Sequence, residues 1–456
     1  MKPAPFGIAP PVRRIAGLVL PALCLGAPAF ADDSSAAIGV GGIVFQKNDQ
    51  IVMEAEQLDL GQAEVRVRFV FRNTGAADIE TMVAFPLPDI AMAALFNEPM
   101  GLPRKDVNFV GFSVTADGVA IEPETTLEAT VEQESGESVD VTDILGPYLK
   151  SHGPGEFSKA ALSKDMLDRA AARGVKLLED EDSDAYPTWT VHTKFHWLQR
   201  FPVGQPVVLE HRYHPILGAH YSAFEPGEDE RAAYCVEPAT EAEATRRIAA
   251  AGKIAKARHK DGAELAFQTR ELAYVLETGA NWHGPITDFR LTLETGDPDI
   301  LVASCFPGLV RSGPTAWAMS RSDYTPDRDF AVALGRIDWS TAQARSGGTA
   351  TSVQPVGLEL APAGPYLIAD SDTVALGPAE LSIRGPEFLR YARNEIFARH
   401  GYVFQDKSLA DWFARWPWYH PQPGPVVLSA LEKANVAVLE TAAKQLPGGP
   451  RRDLPR

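Results

Sequence analysis

The chain has 456 residues, of which 45% are hydrophobic and 23% are charged. This composition is typical of a globular protein and excludes a collagen-like fibre or a wholly disordered chain. The formal net charge of −17 disfavours general binding to nucleic acid, because an acidic surface repels phosphates. We therefore expect a globular protein of two or three domains, with no nucleic acid among its partners.

The first 31 residues have the layout of a secretory signal peptide. Three basic residues precede a short apolar stretch, 15–27, which Pro21 interrupts and which is too short to span a membrane. The sequence Ala29-Phe30-Ala31 is a small-residue cleavage signal, and Asp32 follows it directly. We predict cleavage between Ala31 and Asp32 and a mature protein without a membrane span. A periplasmic location is expected, with full secretion as the alternative.

Residues 32–344 are predicted to form a β-rich domain. Apolar and charged residues alternate over 64–72, and a second alternating run covers 79–85 after the turn signal Asn73-Thr74-Gly75. The two runs predict a hairpin with one buried face. Further strand-like runs indicate an antiparallel sandwich, and they lie at 107–115, 187–198, 206–214, 271–276, 287–294, 300–306, 315–319 and 330–335.

Two segments of this domain have helical composition and are predicted to be insertions on the β scaffold. They are 158–178 and 240–257, and Thr240 with Glu243 predicts a capping box at the start of the second. Residues 345–364 are rich in Gly, Ser, Thr and Pro, which indicates a linker between domains.

Residues 365–446 are predicted to be a small helical module that folds as a unit, followed by a loose tail, 447–456. Pro386 begins a first helix, Gly401 ends it, Asp406 caps a second, and Ser429 with Glu432 forms a capping box for a third. The expected fold class is therefore α+β: a β-sandwich-like N-terminal domain with helical insertions and a helical C-terminal module.

The mature chain has two cysteines, Cys235 and Cys305, both in apolar, strand-like surroundings. An even pair in an oxidising compartment indicates a disulfide bond, and two buried free thiols are the alternative.

The most specific motif of the chain is the run 391–401, Tyr-Ala-Arg-Asn-Glu-Ile-Phe-Ala-Arg-His-Gly. Together with Trp416-Pro417-Trp418-Tyr419 it closely resembles the YARHG domain, from near Tyr366 to the helix around Glu432. The resemblance implies an extracytoplasmic module without an assigned activity, in agreement with the signal peptide.

The N-terminal part resembles the bacterial family Domain of Unknown Function 4424 over most of 32–340. That resemblance implies fold and location but no activity. It is carried by Gly41-Gly42-Ile43, Glu64-Val65-Arg66-Val67-Arg68-Phe69, Phe85-Pro86-Leu87-Pro88-Asp89-Ile90, Phe195-His196-Trp197, Phe201-Pro202, Gly279-Ala280-Asn281-Trp282 and Thr325-Pro326-Asp327-Arg328-Asp329.

Candidate binding residues come from the C-terminal motif. A dense aromatic group there, with charged neighbours, is typical of a surface that stacks against a glycan or a peptide. The same residues also suit the core and internal ion pairs of a small helical domain, which needs large side chains to bury enough surface. The candidates are Arg393, Glu395, Arg399, His400, Trp418 and Tyr419.

Histidines between 192 and 220 offer a weak metal hypothesis. His192 and His196 share one strand face, and His214 lies near the end of the next predicted strand. If these strands pair, a His/carboxylate site is geometrically feasible, although Lys194 on the same face opposes a cation. The alternative is a solvated sheet face with ordinary histidines. We expect no cofactor and no catalytic residue from a known enzyme motif.

The sequence therefore favours a non-catalytic cell-envelope protein that binds a cell-wall component or an envelope protein. Two alternatives stay open: a periplasmic hydrolase with an unrecognised site, and a histidine-based metal-binding protein.

Overall fold

The protein is described from a computed structural model that covers residues 34–39, 42–46, 48–93, 106–133, 135–154, 157–179, 186–220, 224, 232–258, 266–338 and 366–446. The predicted cleavage site at Ala31 and Asp32, the linker 345–364 and the tail 447–456 lie outside the described residues. Within the described ranges, no helix combines the length and the apolar character needed to cross a membrane.

The elements are named in chain order. The strands are β1 (Ser34–Gly39), β2 (Gly42–Gln46), β3 (Ile51–Gly61), β4 (Val65–Asn73), β5 (Ile79–Pro86), β6 (Ile90–Ala91), β7 (Ser113–Ala116), β8 (Val119–Ile121), β9 (Glu124–Glu132), β10 (Ser138–Asp140), β11 (Leu178–Glu179), β12 (Tyr186–Pro187), β13 (Trp189–Phe201), β14 (Pro206–Tyr213), β15 (Gly218–His220), β16 (Ala266–Tyr274), β17 (Ile286–Glu294), β18 (Leu301–Ala303), β19 (Val310–Arg311), β20 (Ala316–Tyr324) and β21 (Phe330–Asp338). The helices are α1 (Thr142–His152), α2 (Lys164–Ala172), α3 (Pro238–Arg258), α4 (Pro378–Leu381), α5 (Pro386–Arg399), α6 (Lys407–Ala414) and α7 (Ala430–Lys444).

Two large sheets enclose the main core. The first has the strand order β10-β9-β13-β5-β1-β2, with β6 also paired to β13, and the second has the order β19-β20-β17-β3-β4-β14-β7-β8. Aromatic side chains of the two sheets meet between them: the Phe85 ring lies 4.9 Å from the ring of His211. Burial among such rings lowers the pKa of His211 to about 3, so this imidazole is neutral. The predicted α+β class with a sandwich-like N-terminal domain is confirmed.

A third sheet, β15-β16-β21-β18, connects the sandwich to α3. The alternation of side chains along β21 explains how: Val332 and Leu334 enter the sandwich core, whereas Ala333 and Ile337 face the opposite way. Ala244, Ala251 and Ile254 of α3 pack onto that second face, and β18 forms one edge of the sheet beside them.

The predicted hairpin of 64–72 and 79–85 is wrong. β4 pairs with β3 and β14 in the second sheet, whereas β5 pairs with β13 and β1 in the first. The turn between them is a corner at which the chain changes sheets. Buried Asn73 fixes this corner, because its amide donates to the carbonyl oxygens of Ala77 (2.8 Å) and Phe201 (2.9 Å). Alternation predicted each strand but not its partner.

Both predicted helical insertions contain a helix, but the bounds of each helix differ from the predicted ones. The segment 158–178 contains a short 3-10 helix, Lys159–Ala161, and the nine-residue α2. α2 begins after Ser163, whose hydroxyl accepts from the Met166 amide at 3.2 Å. α3 begins at Pro238, before Thr240, so the predicted capping box does not form. Glu243 instead binds the guanidinium groups of Arg246 and Arg247 on the same helix face.

The C-terminal helices follow their predicted signals. Pro386 is the first residue of α5, Asp406 caps α6 by accepting from Ser408 and Leu409 amides, and the capping box at the start of α7 is present. Helices α5 and α7 pack together through Leu389, Ile396 and Leu439. The module therefore has its own apolar core.

Gly401 ends α5 in the predicted way, with a φ of +76°. The Tyr402 amide donates to the carbonyl of Phe397, and the Gly401 amide donates to that of Ala398, which is the hydrogen-bond pattern of a Schellman motif. The Tyr402 and Phe397 rings also meet, with centroids 6.0 Å apart. A Cβ at Gly401 would lie 2.8 Å from the carbonyl oxygen of His420, so the position needs glycine for both conformation and space.

We expect Gly401→Ala to lower the free energy of unfolding by about 2–4 kcal/mol, because alanine combines a left-handed backbone with a backbone clash. Gly204→Ala is the matched control: its φ is +68°, but a Cβ there meets no atom within 4 Å. Denaturant unfolding of the two variants should give a clearly larger loss for Gly401→Ala. Equal losses would mean that the approach of His420 adds nothing.

Candidate ligand-binding cleft at the domain junction

The predicted charged residues of the C-terminal motif contact other parts of the module. Arg393 pairs with Glu440 at 2.9 Å. Glu395 accepts hydrogen bonds from the amides of Leu367 (2.6 Å) and Ile368 (3.2 Å), and it pairs with Arg399 at 3.1 Å. Burial raises the pKa of Glu395 to about 7, against the opposing effect of these donors.

The other four candidates complete the same internal arrangement. The Arg399 guanidinium lies over the Tyr366 ring at 4.3 Å and donates to the Ile368 carbonyl at 2.7 Å. Trp418 packs against Tyr366 with the rings tilted and their centroids 5.0 Å apart, and the Tyr419 hydroxyl donates to the Tyr402 carbonyl at 2.7 Å. His400 contacts Glu432 at 2.6 Å. All six side chains thus have structural partners inside the module, and their role in ligand binding stays a prediction.

The candidate histidines do not come together. His192 and His196 lie on β13 in the first sheet, whereas His214 follows β14 in the second, so the two predicted strands do not pair. His196 contacts the Thr126 hydroxyl at 3.0 Å, and Nδ1 of His214 donates to the Ala63 carbonyl at 2.7 Å. In the described part of the chain, no group of three His, Cys, Asp or Glu side chains has the geometry to hold a metal ion.

Asp299 joins the N-terminal domain to the helical module. Its carboxylate accepts from the Gly385 amide (2.7 Å) and pairs with Arg384 (2.7 Å). Gly385 is the N-cap residue of α5 and has no side chain that could accept a hydrogen bond from the first turn. Asp299, from the other domain, supplies the carboxylate at this helix N-terminus instead. A Cβ at Gly385 would lie 2.1 Å from the guanidinium of Arg247, so glycine permits this close approach.

Helix α3 supplies the rest of this buried charge network. Glu243, Arg246 and Arg247 share one face of α3 because they are three and four residues apart. Glu243 accepts from both arginines at 2.7 Å, and Arg246 also donates to the Arg384 carbonyl at 2.8 Å. The alternating acids and bases hold α3, the 297–299 turn and the start of α5 together.

A cleft of about 530 Å³ opens beside this network, between the two domains. Its walls come from the first turns of α3, the edge strand β18 with its flanking residues, and the β19–β20 hairpin. Pro386 and Glu387 at the start of α5 close the remaining side. Clefts of this size between domains are common ligand sites.

Arg311 is the most distinctive side chain of the cleft. It pairs in register with Trp317 across the β19–β20 hairpin, and its guanidinium lies 4.4 Å from the centroid of the Trp317 ring. The other arginines of the junction bind carboxylates, but Arg311 forms no ion pair with a described residue. A cation held on an aromatic face in this way is suited to bind a carboxylate or another anion.

The predicted disulfide bond between Cys235 and Cys305 is present, with the two Cα atoms 5.0 Å apart. It connects the segment before α3 to the residues after β18, which are two walls of the cleft. The covalent link and the Asp299 network therefore both restrain the walls of this cavity.

Family comparisons match both parts of the chain. Residues 31–333 match the model described as Domain of unknown function (DUF4424), and residues 365–444 match that of the YARHG domain. The chain belongs to the DUF4424 family. The cleft thus lies between the DUF4424 region and the YARHG domain, with residues of both in its walls.

Solved structures that resemble this chain include one distant likeness. A Legionella pneumophila protein, provisionally described as a nutrient binding protein, is 15% identical with a TM-score of 0.34. The alignment covers 91% of this chain and 99% of that one. The search of curated proteins found no match.

The residues of the cleft are not among those that sequence patterns indicate. Asp299, Arg384 and Arg247 are far apart along the chain, and no local pattern predicts that they meet. One signal was available for Arg311: the turn sequence Ser312-Gly313-Pro314 predicts a hairpin, which places Arg311 opposite a residue near Trp317. In this DUF4424 protein the candidate site depends mainly on how the two domains pack.

Proposed function

We propose that this protein is a non-catalytic cell-envelope binding protein, exported to the periplasm with removal of residues 1–31, whose ligand site is the cleft between the DUF4424 region and the YARHG domain. The observation that carries the proposal is Arg311, whose guanidinium lies over Trp317 in the cleft and forms no ion pair with a described carboxylate. The ligand is one that presents a carboxylate.

Two further features support a binding role for the cleft. The disulfide and the Asp299 network restrain its walls before any ligand arrives, and a site formed in advance loses less entropy on binding. Glu237 and Glu387 also line the cleft, so it carries charges of both signs. A ligand with both an amine and a carboxylate is complementary to this arrangement.

We expect the mature protein to bind carboxylates that also carry an amine, measured by calorimetry with a panel of free amino acids, dipeptides and dicarboxylates. Arg311→Gln should weaken binding by about tenfold or more, because the charge-assisted bond is lost. Arg290→Gln is the control, since Arg290 is an exposed arginine of the same sheet that pairs with Asp288. Equal affinity of Arg311→Gln and the unmodified protein would contradict the site.

A second candidate function, ester hydrolysis, is favoured by one arrangement on the first sheet. His192 lies 2.6 Å from Asp89 through Nδ1 and 2.9 Å from the Thr130 hydroxyl through Nε2, the order of an acid–histidine–hydroxyl relay. If Thr130 is a nucleophile, a fluorophosphonate should label it, and His192→Gln should abolish labelling. Absence of labelling at Thr130 in the folded protein would reject this candidate. The hydrogen bonds among Asp89, His192 and Thr130 would then have a structural role only.

A further inference from the structure

The edge strand β18 presents mainly its backbone to the cleft. Its side chains are occupied on both faces: Leu301 and Ala303 pack into the cluster beneath α3, and Val302 packs against the sandwich core. β18 pairs with β21 on one side and is the last strand of its sheet in the described residues. The second edge of a strand carries N–H and C=O groups that point away in the plane of the sheet, and such an edge accepts a further strand.

We propose that the cleft binds an extended peptide, which adds to β18 as a further antiparallel or parallel strand while a carboxylate of the peptide pairs with Arg311. The proposal rests on the proposed function and names its ligand class. Strand addition supplies affinity through main-chain hydrogen bonds, and a charged anchor at one end sets the register.

The charges of the cleft agree with a peptide as the occupant. Arg311 forms no ion pair with a described residue and is available for a carboxylate, and Glu237 is available for a cationic group on the same ligand. Glu387 also lines the cleft, but it already pairs with Arg390 at 3.7 Å. β18 has three residues, so the paired part of the peptide spans roughly 10 Å at the usual rise of a strand. The carboxylate comes either from the peptide C-terminus or from an Asp or Glu side chain, and both present the same chemistry to Arg311.

The test uses the mature full-length chain with its disulfide intact and fluorescent ten-residue peptides. One set ends in a free carboxylate, a second is amidated at the C-terminus, and a third is amidated but carries internal Asp or Glu. The best binder is then remade with N-methyl groups on alternate residues. N-methylation removes a backbone donor without changing the protein, so this variant cannot fail through misfolding.

We expect fluorescence anisotropy to detect binding of at least one carboxylate-bearing set, and Arg311→Gln to weaken it by about tenfold or more. Loss of binding on C-terminal amidation identifies the terminus as the source of the carboxylate, and retained binding of the third set identifies a side chain. N-methylation of one alternate set of residues should abolish binding, whereas the other set should be tolerated, as strand pairing requires.

Three results would overturn the inference: no peptide binds, binding is insensitive to Arg311→Gln, or both N-methylated series bind equally. The proposed function is judged separately. If free amino acids or dicarboxylates bind through Arg311 but no peptide does, only the strand-addition inference fails. If neither class binds, the binding cleft itself is rejected.

Discussion

Asp299→Ala is expected to lower the free energy of unfolding by about 3–5 kcal/mol, the usual effect of removing one partner of a buried ion pair. Asp299 is 13% exposed and Arg384 is 5% exposed, so alanine leaves a buried guanidinium without its carboxylate. The Gly385 amide at the start of α5 loses its acceptor in the same substitution. The loss should appear as weakened attachment of the YARHG domain, because both partners belong to it.

The measurement is denaturant unfolding of the mature chain, together with limited proteolysis to follow release of the YARHG domain. Asp288→Ala is the control: it removes the same charge from an exposed pair with Arg290, and such pairs contribute about 1 kcal/mol or less. If Asp299→Ala costs no more than Asp288→Ala, the network does not hold the domains together.

Glu56→Gln is expected to stabilise the protein at alkaline pH. Glu56 is fully buried on β3, between Phe69 of β4 and Phe289 of β17 in register, and neither carboxyl oxygen has a hydrogen-bond partner among the described residues. Burial raises the pKa of Glu56 from 4.5 to about 8. The carboxyl is therefore protonated in the folded protein at neutral pH, while the unfolded chain carries it ionised.

The sign of the pH dependence follows from this difference. Between pH 4.5 and 8 the folded state binds more protons at Glu56 than the unfolded state, so its contribution to stability falls as the pH rises. Glutamine cannot ionise. The free energy of unfolding of Glu56→Gln should therefore exceed that of the unmodified protein by on the order of 4 kcal/mol at pH 8 and by little near pH 4.5. Denaturant unfolding across this pH range tests the prediction. Glu54→Gln is the control, because Glu54 is partly exposed and already paired with Arg72. Parallel pH profiles of Glu56→Gln and the unmodified protein would contradict it.

Sequence patterns predicted elements better than their arrangement. The alternation of 64–72 identifies β4 correctly, but the next strand belongs to the opposite sheet because Asn73 fixes a corner rather than a hairpin. The helix ends of the C-terminal module were predicted correctly because each depends on residues next to it in the sequence. These residues are Gly401, Asp406 and Ser429. The disulfide bond was also predictable, because the even number of cysteines and the expected oxidising compartment can be inferred without knowledge of the fold.

The cleft was not predictable for a physical reason. Asp299 contacts Gly385 and Arg384 across more than 80 positions. They meet because α3 packs on the third sheet and Ile383, just before Arg384, packs into the same apolar cluster. The aromatic residues of the YARHG domain are close together in the sequence, and the sequence-based prediction therefore placed the binding site there. In the structure Trp418 and Tyr419 contact Tyr366 and Tyr402 of their own module, whereas Trp317 lies in the cleft with Arg311.

The central claim, that ligand binds in the junction cleft, is tested most directly by fluorine NMR of the mature protein labelled with 5-fluorotryptophan. The chain has eight tryptophans, and Trp317→Phe and Trp418→Phe variants assign the two resonances that matter. On addition of a carboxylate ligand that calorimetry has identified, we predict that the Trp317 resonance shifts and that the Trp418 resonance does not. A shift of Trp418 with Trp317 unchanged would contradict the cleft and place the site on the aromatic surface of the YARHG domain.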